Sequence, residues 1–456
     1  MKFTNDLGSD NIKGLVWTLA VPSMLSQLVS VLYSIVDRMY IGNIPSNGTQ
    51  ALAGVGVCGP IVTLISSFAF LVGIGGAPLV SINLGEKNID AAKKVIANCF
   101  VYILALAVPV TVLAYIFRRP ILLTFGATEA VYPYAETYFS LYLIGTVFAL
   151  TATGMNQFII TQGHSRSGML SVLIGAIINI IFDPIMIFGL LGFPKMGVAG
   201  AAVATVTGQC VAAVAALIMN FKCNPDIHIV PRKIRFHGPT VKNIYRIGFP
   251  SIVMQCIGSV MVFGVNRILI SFTTTATAVF GAYFKLQSFI FMPVFGLNNG
   301  MVPIVAYNYG AKKPDRVKKT IKLAIFSAVA IMAVGLAAFE LAPGALLSLF
   351  DASENMLAIG TPALRIIALS FVLAGFCIIS MSVCQAIGNP IYSLVVSVCR
   401  QLVVLLPVAW LLSQTGNLTL VWLAFPIAEL MSLTLSAIFL RKTLRMAERA
   451  MTQSAS

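Results

Sequence analysis

Apolar stretches of membrane-spanning length recur along the whole chain, separated by short polar connections. A helix that crosses a bilayer needs about 20 mainly apolar residues, and twelve stretches of about that length or more can be marked. They cover approximately residues 14–42, 52–82, 95–117, 134–160, 166–191, 196–220, 242–270, 279–307, 320–342, 357–385, 391–413 and 417–440. Because lipid offers the backbone no hydrogen-bond partner, such stretches form helices. The pattern predicts an all-α polytopic membrane protein with twelve transmembrane helices.

The placement of the cations predicts the topology. The chain is 58% hydrophobic and 10% charged, with a mean hydropathy of +0.92 and a net charge of +15. Of the 30 lysines and arginines, 22 lie in the two termini and the even-numbered connections, whereas the alternate connections hold only Arg118, Arg119 and Lys195. Cytoplasmic loops carry the cations of membrane proteins, so both termini are predicted to be cytoplasmic. The basic balance therefore indicates topology and attraction to anionic lipid, and not a nucleic-acid partner.

The two halves of the chain repeat one another in the same orientation. The motif Pro-Ser-x-x-x-Gln begins at Pro22 and again at Pro250. Further pairs are Asp37 with Asn266, Asn83 with Asn308, Gln162 with Gln385, and Pro184 with Pro407. Six helices separate equivalent points, which predicts two pseudo-symmetric six-helix bundles related by an axis along the membrane normal. The predicted parts are an N-lobe (1–220), a cytoplasmic linker (221–241), a C-lobe (242–440) and a cytoplasmic tail (441–456).

Two aspartates inside apolar stretches are the main candidates for chemistry. A carboxylate at the centre of a membrane helix costs roughly 2.5–3.5 kcal/mol, so such residues usually serve a function. Asn179 and Asp183 are one helical turn apart on one face, and Pro184 leaves the Ile180 carbonyl without its helical donor. With Asp37, these oxygens predict a site for Na⁺ or a proton. The alternative is that Asn179 and Asp183 only bond neighbouring helices.

The acidic site is predicted in the first lobe alone. The repeat equivalents of Asn179 and Asp183 are Leu402 and Leu406, and that of Asp37 is the neutral Asn266. Neighbouring helix residues diverge by about 100°, so Arg38 is not assumed to neutralise Asp37. The alternative for Asp37 is a structural ion pair.

Other residues are candidates of a second kind. Asn156, Gln157, Thr205 and Thr207 could complete the first-lobe pocket, and Asn156, Gln157 and Met155 are predicted to line a substrate cavity. Packing between helices would equally explain each of these residues. For Glu429 the sequence favours a buried ion pair, since the same lobe carries the membrane-placed cations Arg267, Lys285 and Arg400. The alternative is a second proton site.

Several function classes lack their sequence signature. The chain contains no Walker-type glycine loop, so direct use of ATP is not expected. Its histidines and cysteines show neither metal-ligand nor redox spacing, and no catalytic triad is recognisable. No enzymatic activity is therefore predicted, and no cofactor.

The motifs together resemble the MATE family of multidrug and toxin extrusion transporters. VDRMYIG at 36–42, NxxxDPIMIFG at 179–189, GVAGAAVAT at 197–205 and VPIVAYNYG at 302–310 carry the resemblance, which covers essentially the whole chain. It is most similar to the bacterial branch of MepA-type and DinF-type exporters. The resemblance implies two six-helix bundles facing a central cleft, and export of small organic cations driven by inward H⁺ or Na⁺.

The resemblance also assigns residues and surroundings. Asp37, Asn179 and Asp183 match the first-lobe cation site of the DinF-type branch, with Thr205 a further member. H⁺ or Na⁺ is then the coupling ion, with Na⁺ held at the first three residues. The chain is expected to be a monomer in the bacterial inner membrane, with organic cations and membrane lipid as its partners. Two other readings stay open, namely a MATE-type exporter of a specific metabolite and a flippase of lipid-linked precursors.

Overall fold

All regular structure in the described part of the chain is helical. The computed structural model describes residues 6–45, 47–223, 237–350 and 352–453. Residues 224–236, most of the predicted linker, and residues 454–456 of the predicted tail lie outside the described residues.

The helices follow one another through short connections. Those of the first half are α1 (Ile12–Gly42), α2 (Gly48–Gly85), α3 (Ile89–Ile116), α4 (Arg118–Thr124), α5 (Tyr132–Ile144), α6 (Thr146–Thr161), α7 (Ser165–Phe188) and α8 (Val198–Cys223). The second half begins with α9 (Gly238–Ile270), α10 (Thr274–Gly310), α11 (Pro314–Leu341), α12 (Pro343–Ser348), α13 (Glu354–Ala368) and α14 (Phe371–Ala386). It ends with α15 (Pro390–Val398), a π-helix (Cys399–Leu405), α16 (Leu406–Ser413), α17 (Leu418–Val421) and α18 (Ala424–Gln453).

The membrane-spanning pattern predicted from the apolar stretches is confirmed. Within the described ranges, ten helical stretches are long and apolar enough to cross a bilayer. Two bent pairs, α5 with α6 and α13 with α14, bring the number to twelve when each pair is one span. The described part of the chain is therefore all-α, with up to twelve spans, in agreement with the number expected.

The two bends are features that the apolar pattern did not predict. The first pair bends by 58° at Gly145, and the second bends by 47° between Ala368 and Phe371. With the alignment of the two repeats that pairs Gln162 with Gln385, Gly145 corresponds to Ala368. Both repeats therefore bend at the same place. An uninterrupted apolar stretch shows that a segment lies in the membrane, but it does not show whether the helix axis changes direction there. The sequence therefore predicted unbroken spans.

The described chain forms two compact units. One contains residues 6, 25–45, 47–223 and 237–252, and the other contains residues 7–24, 253–350 and 352–453. The helices α1 and α9 each contribute residues to both units, and each changes unit just after its Pro-Ser motif, at Met24 and at Ile252. The units are called unit 1 and unit 2 below.

Close packing of α7 on α8 shapes unit 1. A Cβ atom added at Gly175 would lie 2.8 Å from the Ala212 Cβ, and one added at Gly208 would lie 2.8 Å from the Gly175 carbonyl oxygen. Small residues allow membrane helices to approach until their backbones touch. This contact places Asn179, one turn after Gly175, beside Thr205 on α8.

Unit 2 is built around aromatic rings. Phe280, Phe339, Phe371 and Trp422 are almost fully buried. The Phe339 and Phe371 ring centroids are 5.0 Å apart, and those of Phe280 and Trp422 are 6.3 Å apart. Aromatic pairs at such separations stabilise a core in addition to the stabilisation from the apolar area that they bury. This cluster therefore holds the surrounding helices of unit 2 together.

Candidate functional site

Two carboxyl groups that are far apart in the sequence meet inside unit 1. Asp37 of α1 is 9% exposed and Asp183 of α7 is fully buried. Their carboxyl groups lie within hydrogen-bonding range of each other. Asp37 Oδ1 and Asp183 Oδ2 are buried and accept no hydrogen bond from a donor group of the described residues. The pair is therefore an acidic site with unused oxygen atoms.

Arg38 does not neutralise this site directly. Its side chain is exposed whereas that of Asp37 is buried, as expected for consecutive residues of a helix. Among the described residues no ion pair joins the two side chains, and Arg38 acts on Asp37 only through longer-range attraction. A structural ion pair with Arg38 therefore does not account for Asp37.

Asn179 joins the carboxyl pair to α8. Its Nδ2 lies 3.4 Å from Asp183 Oδ1 and 3.4 Å from Thr205 Oγ1, so one amide group donates to both. The same residue keeps Oδ1 buried without a donor in the described structure. Asp37, Asn179, Asp183 and Thr205 thus come together as the sequence pattern suggested, and they supply several oxygen atoms in a small volume.

A cavity of about 370 Å³, with both polar and apolar residues on its wall, adjoins the carboxyl pair. Asn156, Gln157, Asn179 and Thr205 lie on its wall, together with other polar residues of α6, α7 and α8 and of three further helices, α1, α2 and α5. The rest of the polar wall is formed by Ser26, Gln27, Ser30, Tyr33, Ser66, Tyr142, Thr153, Ser171 and Gln209. Asp37 and Asp183 are not on this wall, and Asn179 connects it to them.

Met155 does not line this cavity. Its side chain is fully buried in the apolar core of unit 1, and its carbonyl oxygen accepts a hydrogen bond of 3.2 Å from Asn220 Nδ2. Asn156 and Gln157 follow on the same helix but point about 100° and 200° away, onto the cavity wall. The expectation for Met155 is corrected, because the sequence does not say which face of α6 meets the core.

Three tyrosines around the carboxyl pair were not singled out from the sequence. Tyr33 lies on the cavity wall one turn before Asp37, and its i, i+4 spacing was the signal available. The hydroxyl of Tyr138 lies within hydrogen-bonding range of Thr205. Tyr142 lies within range of Gln209 and Ser66. The tyrosines on α5 become neighbours of the site only because α5 packs against α8, which no local pattern reveals.

Glu429 in unit 2 has a cationic partner. Its Oε2 lies 3.2 Å from Arg400 Nη1, with 6% of the Glu429 side chain and 29% of the Arg400 side chain exposed. This is the ion pair that the sequence favoured for Glu429. Both residues line a second cavity, of about 330 Å³, within unit 2.

The profile of the MatE family matches residues 22–185 and again residues 250–411. The chain belongs to the MatE family. The two matches begin at Pro22 and Pro250, the paired residues of the repeat, so each half of the chain is one MatE domain.

Relatives place this MatE protein in the MepA-like branch of bacterial transporters. It is 27% identical to the multidrug export protein MepA of Staphylococcus haemolyticus over 90% of the chain and 89% of that relative. It is 26% identical to an FAD transporter of Shewanella oneidensis, over 94% of the chain and 95% of that protein. The chain is thus a multi-pass membrane protein of a transporter family.

Solved structures of MATE transporters share this fold. One crystal structure in a bent conformation superposes with a TM-score of 0.90, at 22% identity, over 97% of this chain and 98% of the other. An outward-facing multidrug resistance MATE transporter gives a TM-score of 0.88, at 23% identity and the same coverage. At these identities the likeness concerns the fold alone.

Proposed function

We propose that this MatE protein is a secondary active exporter of organic cations and drugs, driven by inward movement of H⁺ or Na⁺. One observation carries the proposal: two buried carboxyl groups, Asp37 and Asp183, face each other within hydrogen-bonding range. They lie directly behind the wall of a cavity that is large enough for a small molecule.

The carboxyl pair provides a physical reason for ion coupling. Two buried carboxylates at hydrogen-bonding range repel each other and lose their hydration. A shared proton removes one charge and supplies a hydrogen bond between them. A Na⁺ ion achieves the same neutralisation, with oxygen ligands of the kind that hard cations prefer. Asn179 Oδ1 and Thr205 Oγ1 are the further oxygen atoms of the proposed site.

The surroundings of the cavity favour an organic cation as its ligand. Tyr33 and Asn179 connect the cavity to the acidic pair, so negative charge behind the wall attracts a positive ligand through them. When a proton or Na⁺ occupies the pair, this attraction disappears. A ligand shifts a conformational equilibrium only by its preference between the two states. Exchange of drug for ion at unit 1 is therefore the proposed coupling step.

The proposed setting follows the distribution of charge. The cations concentrate in the termini and in the even-numbered connections, which supports a position in the bacterial inner membrane with both termini in the cytoplasm. We propose that the chain acts as a monomer among membrane lipids, with the coupling ion as its only requirement and without nucleic acid. Transport in this scheme involves no chemical conversion of the cargo.

A second candidate function has one observation in its favour. The relative from Shewanella oneidensis, which matches 94% of this chain, is an FAD transporter. Export of a specific metabolite is therefore the alternative cargo class, with the same fold and the same coupling ions.

The test is drug-stimulated flux in proteoliposomes. The purified protein is reconstituted with the wild-type sequence, with Asp183→Asn and with Asp315→Asn, and Na⁺ and H⁺ gradients are imposed separately. Asp315 is an exposed acid in the first turn of α11 and makes a matched control. Ethidium uptake is expected to follow one gradient in the wild type and in Asp315→Asn, and to lose that dependence in Asp183→Asn.

Each outcome has a defined meaning. The effective gradient names the coupling ion. Gradient-driven uptake that persists fully in Asp183→Asn would refute coupling through unit 1. If no organic cation is transported while FAD is, the cargo is a metabolite and the coupling scheme is then tested with FAD.

A further inference from the structure

Unit 2 contains a cavity of its own with an aromatic wall. Its volume is about 330 Å³, within the usual range for small-molecule sites. The rings of Tyr283, Phe284, Phe291, Phe295 and Phe425 line it. Tyr283 also packs edge-on against Phe425, with 6.2 Å between the ring centroids. Such a wall suits a flat aromatic ligand, because rings offer large contact area at a small cost in side-chain entropy.

Among the described residues, the charged ones on this wall are Arg400 and Glu429 alone. Arg400 lies in the π-helix and Glu429 in α18, and their side chains form the ion pair of 3.2 Å described above. Wide π-helical turns inside α-helices occur frequently at functional sites. The first-half segment that corresponds to this π-helix lies within the regular helix α7, so the feature distinguishes unit 2 from unit 1.

The ion pair leaves one hydrogen-bond donor and one acceptor without a partner among the described residues. Glu429 Oε1 and Arg400 Nε are buried and have no hydrogen-bond partner in the described part of the protein. The Cys377 thiol also lies within range of Glu429, but a thiol is a weak donor. A purely structural pair would use its remaining donors and acceptors on neighbouring groups, since unmet ones are costly when buried.

The pair is also neutral overall, and this selects the ligand. A cationic ligand is attracted by Glu429 and repelled by Arg400, whereas an anionic ligand experiences the reverse. The two contributions largely cancel at similar distances. A ligand that carries an ammonium group and a carboxylate gains from both residues without separating them.

We propose that the unit 2 cavity is a second ligand site, and that it binds flat aromatic zwitterions. The ligand carboxylate accepts hydrogen bonds from the Arg400 guanidinium, the ligand ammonium donates to the Glu429 carboxylate, and the ring packs against the aromatic wall. This site is separate from the cavity of unit 1, and it requires neither Asp37 nor Asp183. The inference therefore goes beyond the proposed export function and does not depend on it.

Three fluorescent probes with one ring system test the proposal. Nε-dansyl-lysine carries an amine and a carboxylate, monodansylcadaverine carries the amine alone, and 6-(dansylamino)hexanoic acid carries the carboxylate alone. Binding is titrated to the protein in phosphatidylcholine nanodiscs without an ion gradient, and the signal of empty nanodiscs is subtracted. Because a charge-assisted hydrogen bond is lost with each single-charge probe, dansyl-lysine is expected to bind about tenfold more tightly than either.

Two single substitutions are expected to change the preference in opposite directions. Arg400→Gln leaves Glu429 alone, so monodansylcadaverine becomes the preferred probe. Glu429→Gln leaves Arg400 alone, so the hexanoic acid becomes preferred. Arg365→Gln and Glu340→Gln are matched controls, since these residues form an exposed pair of 3.9 Å in the same unit and lie off the cavity wall. Both controls are expected to retain the wild-type order.

The outcomes decide the proposal without reference to transport. Equal binding of the three probes, binding that is insensitive to both cavity substitutions, or no binding of dansyl-lysine would each overturn it. If one cavity variant does not fold, the order of the three probes on the wild type and on the control variants still decides. A failure here leaves the ion dependence of ethidium uptake untouched, so the two proposals are tested separately.

Discussion

Replacing Gly208 by alanine is expected to damage the ion site from the packing side, without altering a group that binds the ion. An added Cβ would lie 2.8 Å from the Gly175 carbonyl oxygen and 3.1 Å from the Asn179 Cβ. Ordinary contact of a Cβ begins at 3.4 Å, so α7 and α8 must separate by about 0.6 Å, the difference between ordinary contact and the available space.

This separation of α7 from α8 breaks a hydrogen bond of the proposed ion site. The Asn179–Thr205 contact is 3.4 Å, and lengthening it by about 0.6 Å carries it beyond hydrogen-bonding distance. Overpacking of this kind typically costs about 1–3 kcal/mol of stability. Loss of a hydrogen bond worth about 1 kcal/mol is expected to weaken apparent ion binding by roughly fivefold.

The assay measures both effects on the same preparation. Thermal unfolding in detergent reports stability, and the ion concentration that gives half-maximal ethidium uptake reports the site. Gly56→Ala is the matched control, because a Cβ at this position in α2 meets nothing within 4 Å. It is expected to leave both quantities close to wild type.

The Thr205→Val variant tests whether Gly208→Ala weakens ion binding through the Asn179–Thr205 hydrogen bond. Thr205→Val removes the Asn179–Thr205 hydrogen bond outright, so Gly208→Ala should add little further loss of ion affinity in that background. If Gly208→Ala weakens ion binding by the same factor with and without Thr205, its effect does not pass through this bond and the reasoning is wrong. A wild-type unfolding temperature for Gly208→Ala would contradict the packing argument itself.

Three further predictions concern stability and order. Arg400→Gln and Glu429→Gln should each destabilise the protein by about 1–3 kcal/mol, because each leaves a largely buried partner unpaired; the double variant should be more stable than the sum of the two losses implies, as measured by a double-mutant cycle of thermal unfolding. Asn220→Ala should cost about 1 kcal/mol, since it removes the 3.2 Å hydrogen bond to the Met155 carbonyl, and an unchanged unfolding temperature would show that this bond contributes nothing. Arg316→Gln should expose the amino-terminal segment to protease, because Arg316 donates to the backbone carbonyls of residues 7, 9 and 10; equal cleavage rates in the variant and the wild type would contradict this role.

The apolar pattern was sufficient to predict the spans, and the paired motifs were sufficient to predict the repeat. A helix in lipid satisfies its backbone hydrogen bonds within its own segment. The length of an apolar stretch therefore suffices to predict that it forms a spanning helix. The i, i+4 spacing of Asn179 and Asp183 placed them on one helix face for the same reason. The Pro-Ser motif likewise marked the starts of both MatE domains, at residues 22 and 250.

Other features depended on which faces of the helices meet. Periodicity orders residues around a helix but does not say which neighbour each face contacts, so the meeting of Asp37 with Asp183 and the burial of Met155 required the packed structure. The tyrosine at position 138 joined the site for the same reason.

The backbone irregularities were also decided by tertiary structure. The bend at Gly145, its counterpart in the second repeat and the π-helix at Cys399–Leu405 all lie in stretches that remain continuously apolar. Local sequence thus determined that these segments are helices which cross the membrane. Packing against neighbouring helices determined where their axes turn, and thereby which side chains surround the two cavities.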